Sequence, residues 1–339
     1  MTVPMTVGRE QVLAFRRRTG ALDERRPAGP ASLRRAAWAG LTDSVPRAAL
    51  LQLHARVDAT SSAALDDPGL VQVWGPRFST YVVPVEDRAV FTVARTPADD
   101  DRRRFAADVA DRLEAFLDGR EESANAAGRA LGVHPNQFRY AATTGRVLIR
   151  WDGASRPLLR TTAAPDVDPA QARRELARRY LHVLGPGTAD GFGDWAGLRA
   201  RSAVPAFASL RDELVPVRTP VGDAWVLADD EATLRAPAGP TAAARLLPSG
   251  DAFFLLQGRD RELLVPDPGR RAELWTSRVW PGAVLVDGDV VGWWRRAEEK
   301  VTVRTWVALT AASRAAVERE ATSMPLPGLR APVVVRWDA

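Results

Sequence analysis

One local pattern of helices followed by paired strands recurs along the chain, and it is clearest between residues 101 and 162. The stretch "DRRRFAADVADRLEAFLDG" places apolar residues at helical spacing, and "SANAAGRALGVHPNQFRYAATTG" predicts two shorter helices, the first capped by Ser123 and ended by Gly132. "RVLIRWDGASRPLLRTT" then predicts two strands joined at Asp152-Gly153. Because two short helices across a glycine turn followed by a β-hairpin form a winged helix, the pattern predicts that fold.

The same pattern divides the rest of the chain. We predict winged helices over residues 1–97, with two helices around Gly40 and the wing "LVQVWGPRFSTYVVP", over 98–166, and over 167–245. Residues 246–339 predict a β-rich element, with strands in "DAFFLLQ", "RELLVPD", "AVLVDGDVVGWWRR" and "VTVRTWVAL", then a helix in "SRAAVEREATS" and a strand in "APVVVRW". The expected fold class is therefore α+β, with tandem winged-helix modules and a C-terminal β-rich element.

Composition excludes several classes of protein. The chain has no cysteine, which rules out a disulfide framework, a cysteine nucleophile and thiolate metal sites. Its three histidines lie far apart, so we expect no metal and no cofactor. No apolar run approaches the length of a membrane span, and we expect a cytoplasmic, nucleoid-associated monomer. The net charge is +5, and 46 of the 47 basic residues are arginine, which fits a DNA partner but also follows from GC-rich codon usage.

The helix after Gly132 is the candidate recognition helix of the middle module. In a helix-turn-helix, the first residues of that helix enter the major groove. Here these residues are His134, Asn136, Gln137 and Arg139. Asparagine and glutamine pair with adenine and arginine pairs with guanine, although a solvated polar face has the same composition.

The wings carry the other candidate DNA contacts. Arginines recur along the middle wing, as residues that contact phosphates do. These are Arg146, Arg150, Arg156 and Arg160. At the tip of the first wing, Trp74 and Arg77 flank Gly75-Pro76, and an aromatic with an arginine at such a tip is suited to entering a groove. Such a tryptophan also ends many strands simply as part of the core.

The order of several segments resembles the AlkZ-like winged-helix family across nearly the whole chain. The segments are "QVLAFRRR", "AGL…ALLQLHARVDA", "LVQVWGPRFSTYVVP", "RRYLHVLGPGTADGFGDWAGL", "RELLVPD" and "VWPGAVLVDGDVVGWWRR". The resemblance implies tandem winged helices that bind double-stranded, damaged DNA. It also implies the activity of bacterial glycosylases that remove N-alkylated bases and unhook crosslinks.

The resemblance also indicates where catalysis would lie. Active members carry Gln-x-Gln or Gln-x-Asp directly after a Gly-Leu, and these positions here are Thr42, Asp43 and Ser44. Gln52 and His54 imitate the motif ten residues later, inside a helix whose leucines indicate packing. In the first wing, where active members have Arg-Gly-Thr-x-His, this chain has Phe78 and Tyr81 in place of the glycine and the histidine. We expect Tyr81 to contact DNA together with Trp74 and Arg77.

The degenerate motif leaves three functions open. The first is a non-catalytic protein that binds DNA with the surface that glycosylases of this family use. The second is an alkylpurine glycosylase in which Asp43, or a water held by a hydroxyl, faces the positive sugar of the transition state. The third is a scaffold that has lost DNA binding and serves protein contacts.

Overall fold

The computed structural model describes residues 4–45, 47–151, 153, 157–256, 258–329 and 331–338. None of the helices in these ranges has both the length and the apolar composition of a membrane span. The first segment mixes helices with short strands, and its Gly40 is followed by a strand before the next helix begins. Its elements are β1 (Met5–Thr6), α1 (Arg9–Thr19), α2 (Pro30–Ala36), β2 (Leu41–Thr42), α3 (Ala48–Arg56), β3 (Leu70–Trp74), β4 (Thr80–Pro84) and α4 (Arg88–Thr92).

The middle segment follows its predicted order of elements. The hydroxyl of Ser123 accepts the backbone N–H of Ala126 at 3.2 Å, and Gly132 ends that helix in the left-handed region at φ 63°, so both predicted boundaries are confirmed. A single 3-10 turn, Pro135–Gln137, leads into the next helix. The elements are α5 (Asp100–Leu117), β5 (Glu122–Ser123), α6 (Ala124–Leu131), α7 (Phe138–Ala141), β6 (Val147–Arg150) and β7 (Leu158–Thr161).

The hairpins of these two segments share one sheet, with the strand order β2-β4-β3-β6-β7-β5. The two hairpins meet where Gln72 of β3 lies opposite Ile149 of β6. Gln72 therefore stands at the seam between the first and middle segments. The sheet crosses the boundary predicted at residues 97 and 98, because β3 finds its second neighbour in the next segment of the chain.

The third segment contains α8 (Pro169–Leu184), α9 (Ala189–Ala196), α10 (Ala200–Ala208), β8 (Leu214–Thr219), β9 (Gly222–Leu227) and α11 (Glu231–Arg235). The N-terminal strand β1 pairs in parallel with β8, and Phe15 of α1 packs with Val217 and Val226. The start of the chain, which the sequence assigned to the first module, thus completes the sheet and core of the third segment.

The last segment is built on a five-stranded sheet with the order β10-β11-β12-β13-β14. Val317 of its C-terminal helix packs against Val284 and Val303 of this sheet. The elements are β10 (Ala244–Leu247), α12 (Asp260–Leu264), α13 (Pro268–Leu274), β11 (Gly282–Val286), β12 (Asp289–Ala297), β13 (Lys300–Thr305), α14 (Ala311–Thr322) and β14 (Val334–Asp338).

Two strand predictions in the last segment are wrong. Residues 261–264 of "RELLVPD" lie in helix α12, and the described part of "DAFFLLQ", residues 251–256, contains a turn at 252–254 and no strand. Short apolar runs look alike in buried strands, helices and turns, so their periodicity does not separate these states. What the apolar run does encode is burial: Phe253, Phe254 and Leu256 lie in the central core, which also takes in Leu148 and Leu176 from two other segments.

Candidate active site

The Thr42-Asp43-Ser44 segment lies at the edge of the six-stranded sheet, directly after a sharp turn. Gly40 adopts φ 81°, and a Cβ atom there would lie 2.6 Å from the ring of Phe91, so the turn requires glycine. Strand β2 then pairs with β4, with Thr42 opposite Tyr81. This anchorage fixes the position and direction of the three residues that follow Gly40-Leu41.

Asp43 is buried, at 3% exposure, and its carboxylate is held on both oxygens. Its Oδ1 accepts the backbone N–H of Ala49 at 3.1 Å, and its Oδ2 accepts Nε2 of Gln72 at 2.6 Å. Burial raises the pKa of Asp43 to about 6, although these two hydrogen bonds and the nearby charge of Arg47 act in the opposite direction. The group is therefore ionised at neutral pH and protonated in mild acid.

The amide of Gln72 is fixed by the backbone of Trp151. Its Oε1 accepts the N–H of Trp151 at 2.6 Å, and its Nε2 also donates to the carbonyl oxygen of Trp151 at 2.9 Å. This pair of bonds leaves one orientation for the amide, with the NH₂ group toward Asp43. The sequence analysis missed Gln72, and its signal was a single polar residue within the apolar strand "LVQVW".

Gln72 forms part of the wall of a cleft of about 310 Å³ that has three arginines along it. Arg47 comes from the start of α3, Arg150 from β6 and Arg160 from β7. Arg150 is 68% exposed at its side chain and pairs with Glu121 at 2.8 Å. Asp43 lies one hydrogen bond behind this wall. Asp66 and Glu121 also line the cleft. A ligand there would therefore meet three arginines and two acidic side chains, with the buried carboxylate of Asp43 behind the wall.

Thr42 and Ser44 do not join Asp43 in this arrangement. Thr42 is buried, and its hydroxyl donates to the carbonyl oxygen of Gly250 at 2.6 Å. Ser44 is exposed. Successive side chains of an extended segment point to opposite sides, so Thr42 shares its sheet face with Tyr81 while Asp43 points toward Gln72. The three predicted catalytic residues therefore do not form one constellation.

Gln52 and His54 are parts of the packed interior. Gln52 is fully buried and donates to the carbonyl oxygen of Thr42 at 2.7 Å, which braces β2. His54 Nε2 lies 3.0 Å from the Ser323 hydroxyl. Burial, with a contribution from the charges of Arg25 and Arg245, lowers the pKa of His54 to about 4. Gln52 therefore supports β2, while His54 connects α3 with the end of α14.

Three of the predicted recognition residues, His134, Asn136 and Gln137, lie at the turn that leads into α7, and Arg139 lies in α7 itself. Two of them are engaged in capping this turn: His134 Nδ1 accepts the N–H of Asn136 at 3.2 Å, and Gln137 Oε1 accepts the N–H of His134 at 3.1 Å. Asn136 and Arg139 are exposed. The side chains that remain available for contact with DNA are therefore those of Asn136 on the turn and Arg139 in α7.

The wing arginines have different environments. Arg146 is paired with Asp111 and Glu114 of α5, so its charge is largely neutralised within the protein. Arg160 is exposed at the cleft. Asp152 and Arg156, at the predicted turn of this wing, lie outside the described residues.

Two residues of the predicted first-wing contact are in the core. Trp74 is 5% exposed and packs with the interior of the middle segment, and Tyr81 is 1% exposed and stacks on Phe91 at 6.2 Å between ring centroids. Their predicted contact with DNA does not agree with this burial, because the middle segment and α4 cover them. Arg77 is half-buried with φ 55°, and its backbone lies against Gly197 at the end of α9.

Fold and site define an α+β protein whose segments enclose an arginine-lined cleft over a buried carboxylate–carboxamide pair. Among the described residues, no cluster of histidine, aspartate and glutamate side chains is arranged to hold a metal ion. The family model described as DNA glycosylase AlkZ-like matches residues 33–325. The chain therefore belongs to the AlkZ-like DNA glycosylase family.

Two relatives illustrate this membership. An interstrand DNA cross-link repair glycosylase of Streptomyces sahachiroi is 30% identical over 158 residues, which is 45% of this chain and 42% of that protein, so the match spans less than half of either. The solved structure of the Streptomyces sahachiroi DNA glycosylase AlkZ superposes with a TM-score of 0.79 over 98% of this chain and 100% of that chain. Its sequence identity is 19%, so this second likeness concerns the fold.

Proposed function

We propose that the protein is a winged-helix DNA-binding protein that holds double-stranded DNA along the cleft lined by Arg47, Arg150 and Arg160. The middle segment supports a winged helix, because a helix, a short strand and two further helices are followed by the hairpin of β6 and β7. The short strand β5 pairs with the outer side of β7. The observation that carries the proposal is the convergence of three arginines from two segments on one cleft. Guanidinium groups suit the phosphates of a duplex, and Asn136, on the turn before α7, and Arg139, in α7, are exposed for contact with bases.

The test is the salt dependence of binding to a labelled duplex, followed by fluorescence anisotropy. Affinity is expected to fall steeply between about 50 and 200 mM salt, because arginines that neutralise phosphates release counterions. Arg150→Ala and Arg160→Ala should each weaken binding on all sequences alike and lower the salt slope by about one. Arg211→Ala removes an exposed arginine away from the cleft and serves as the control. Binding without salt dependence, or variants that match the wild type, would contradict the proposal.

A second candidate function is hydrolysis of the N-glycosidic bond of an alkylated purine, and the Asp43–Gln72 pair favours it. The transition state of this reaction resembles an oxocarbenium ion, so a fixed negative charge in a region that excludes water stabilises it. An ionised Asp43 supplies such a charge beneath the cleft floor, and the Gln72 amide, held by Trp151, keeps the carboxylate in place. A cationic N-alkylated base has a weak glycosidic bond, which reduces the stabilisation that the protein has to provide.

The experiment for this second function measures free base released from duplex DNA that contains 7-methylguanine. A duplex with an interstrand crosslink serves as the second substrate, in view of the function named for the Streptomyces relative. Release above the uncatalysed rate supports a glycosylase. If neither substrate loses a base while the duplex still binds, the non-catalytic DNA-binding function stands.

A further inference from the structure

A recess of about 440 Å³ lies where the first, middle and third segments meet, away from the cleft above Asp43. Its walls come from the turn between β3 and β4, from α5 and α7, and from the start of α10. It has no lining residue in common with the Asp43 cleft. The volume falls within the range of about 300–1,000 Å³ that is typical of small-molecule sites.

The recess is lined by four arginines, Arg95, Arg102, Arg199 and Arg201, and by no aspartate or glutamate. In the part of the chain that the structure describes, no carboxylate forms an ion pair with any of these four. Arg103 and Arg104, which follow Arg102 on α5, differ from it because they form ion pairs with acidic residues of their own helix. The positive charge of the recess is therefore left without an internal counter-charge.

Arg95 is the least accessible of the four, at 7% exposure. Its Nη1 donates to the carbonyl oxygen of Gly75 at 2.6 Å, while its buried Nε has no hydrogen-bond partner within the described residues. The guanidinium lies 3.9 Å from the ring centre of Phe78. Burial, as the main cause, lowers the pKa of Arg95 to about 10. A buried cation without a carboxylate partner is costly, and an anion bound nearby offsets that cost.

Aromatic side chains form another part of the wall. Phe105 is 39% exposed and Tyr140 is 46% exposed, and both rings line the recess. Tyr140 rests edge-on against Phe78 at 4.9 Å between ring centroids, so its position is supported from one side. An exposed aromatic ring with neighbouring arginines is the combination on which nucleic-acid bases stack.

We infer that this recess is a nucleotide-binding site, separate from the cleft of the proposed function. Arg199 and Arg201 would take the phosphate, Tyr140 and Phe105 would stack on the base, and Arg95 would add a fixed positive charge at the rear. The same chemistry recognises a free nucleotide and one nucleotide of a DNA strand. The inference does not depend on glycosylase activity or on the arginines of the cleft.

The test measures binding of four probes to the full-length protein. Calorimetric titration uses deoxyadenosine monophosphate, deoxyadenosine and inorganic phosphate, and fluorescence anisotropy uses a short labelled single strand. The variants are the double substitution Arg199→Ala with Arg201→Ala, and Tyr140→Leu. Their matched controls are Arg211→Ala and Trp225→Leu, which change an exposed arginine and an exposed aromatic elsewhere on the surface. Circular dichroism confirms that each variant is folded.

We expect saturable binding of the mononucleotide, with an affinity about tenfold or more above that of deoxyadenosine or of phosphate, because the base and the phosphate both contribute to binding. The arginine double variant should lose about tenfold or more, and Tyr140→Leu several-fold with no change for phosphate. If only the single strand binds, and depends on Arg199 and Arg201, the nucleotide enters as part of a strand. The inference is overturned if neither the mononucleotide nor the single strand binds. It is also overturned if the variants bind like the controls, or if phosphate binds as well as the mononucleotide.

Discussion

Replacement of Asp43 by asparagine separates the chemical role of this residue from its role in the fold. Asparagine has the shape of aspartate but offers one acceptor oxygen and an NH₂ group, whereas both partners of Asp43, the N–H of Ala49 and the amide of Gln72, are donors. Gln72 cannot reverse its amide without losing both bonds to Trp151. The variant therefore loses one of the two hydrogen bonds and the whole charge.

The effects on stability oppose one another. Burial raises the pKa of Asp43 from 3.8 to about 6, which corresponds to a cost of about 3 kcal/mol for the ionised form. This cost is already net of the two hydrogen bonds to Asp43, which lower its pKa. Asparagine removes the cost at neutral pH but places an NH₂ group against a donor, which costs about 1–3 kcal/mol. The free energy of unfolding at neutral pH should therefore change by no more than about 2 kcal/mol.

The stability difference between the wild type and this variant should depend on pH. A carboxyl group whose pKa is higher in the folded state contributes stability that is complete below its unfolded pKa of 3.8. That contribution is lost as the pH rises through about 6. Between about pH 5 and 7.5 the wild type should lose about 1 kcal/mol relative to Asp43→Asn, as urea unfolding at several pH values would measure.

Activity is expected to respond much more than stability. If Asp43 supplies the negative charge that faces the sugar, Asp43→Asn should lower base release from 7-methylguanine DNA by about 10² to 10³ while duplex affinity stays within a few-fold. Wild-type release should rise with pH through about 6, as Asp43 ionises. Asp66→Asn, in the same cleft, is the control and should retain activity. A fully active Asp43→Asn, or a stability difference that does not move with pH, would refute the reasoning.

Two further predictions concern His54 in α3 and Gly40 in the turn before β2. The pKa of His54 is about 4 in the folded protein against an ordinary 6.5, so its contribution to stability is present above pH 6.5 and is lost as the pH falls toward 4. As the pH falls from 6.5 to about 4, the free energy of unfolding should decrease by about 2–3 kcal/mol less in His54→Gln than in the wild type, as urea unfolding would measure. Equal pH profiles for the two proteins would contradict this. Gly40→Ala places a Cβ atom 2.6 Å from the Phe91 ring at φ 81°, and should lower the free energy of unfolding by at least about 1 kcal/mol and reduce base release with it. An alanine variant with unchanged stability would show that the turn tolerates a side chain.

Features that depend on local periodicity and capping were predictable from the sequence. The middle segment follows its predicted order because its apolar spacing, the Ser123 cap and the Gly132 ending are properties of neighbouring residues. The last helix and the last strand agree for the same reason. The family was also evident from the sequence, since the order of its motifs survives along the chain.

The arrangement of the site was decided by contacts between distant segments. The strands β2, β4 and β3 bring Asp43 close to Gln72, but the amide of Gln72 presents its NH₂ group to the carboxylate because β6 pairs with β3 and the backbone of Trp151 fixes the amide. The sequence alone leaves open whether Trp74 and Tyr81 are exposed, and in the fold the middle segment and Phe91 cover them. The pattern of a strand determines which side chains share a face, while the elements that pack against that face determine whether it is core, cleft or surface.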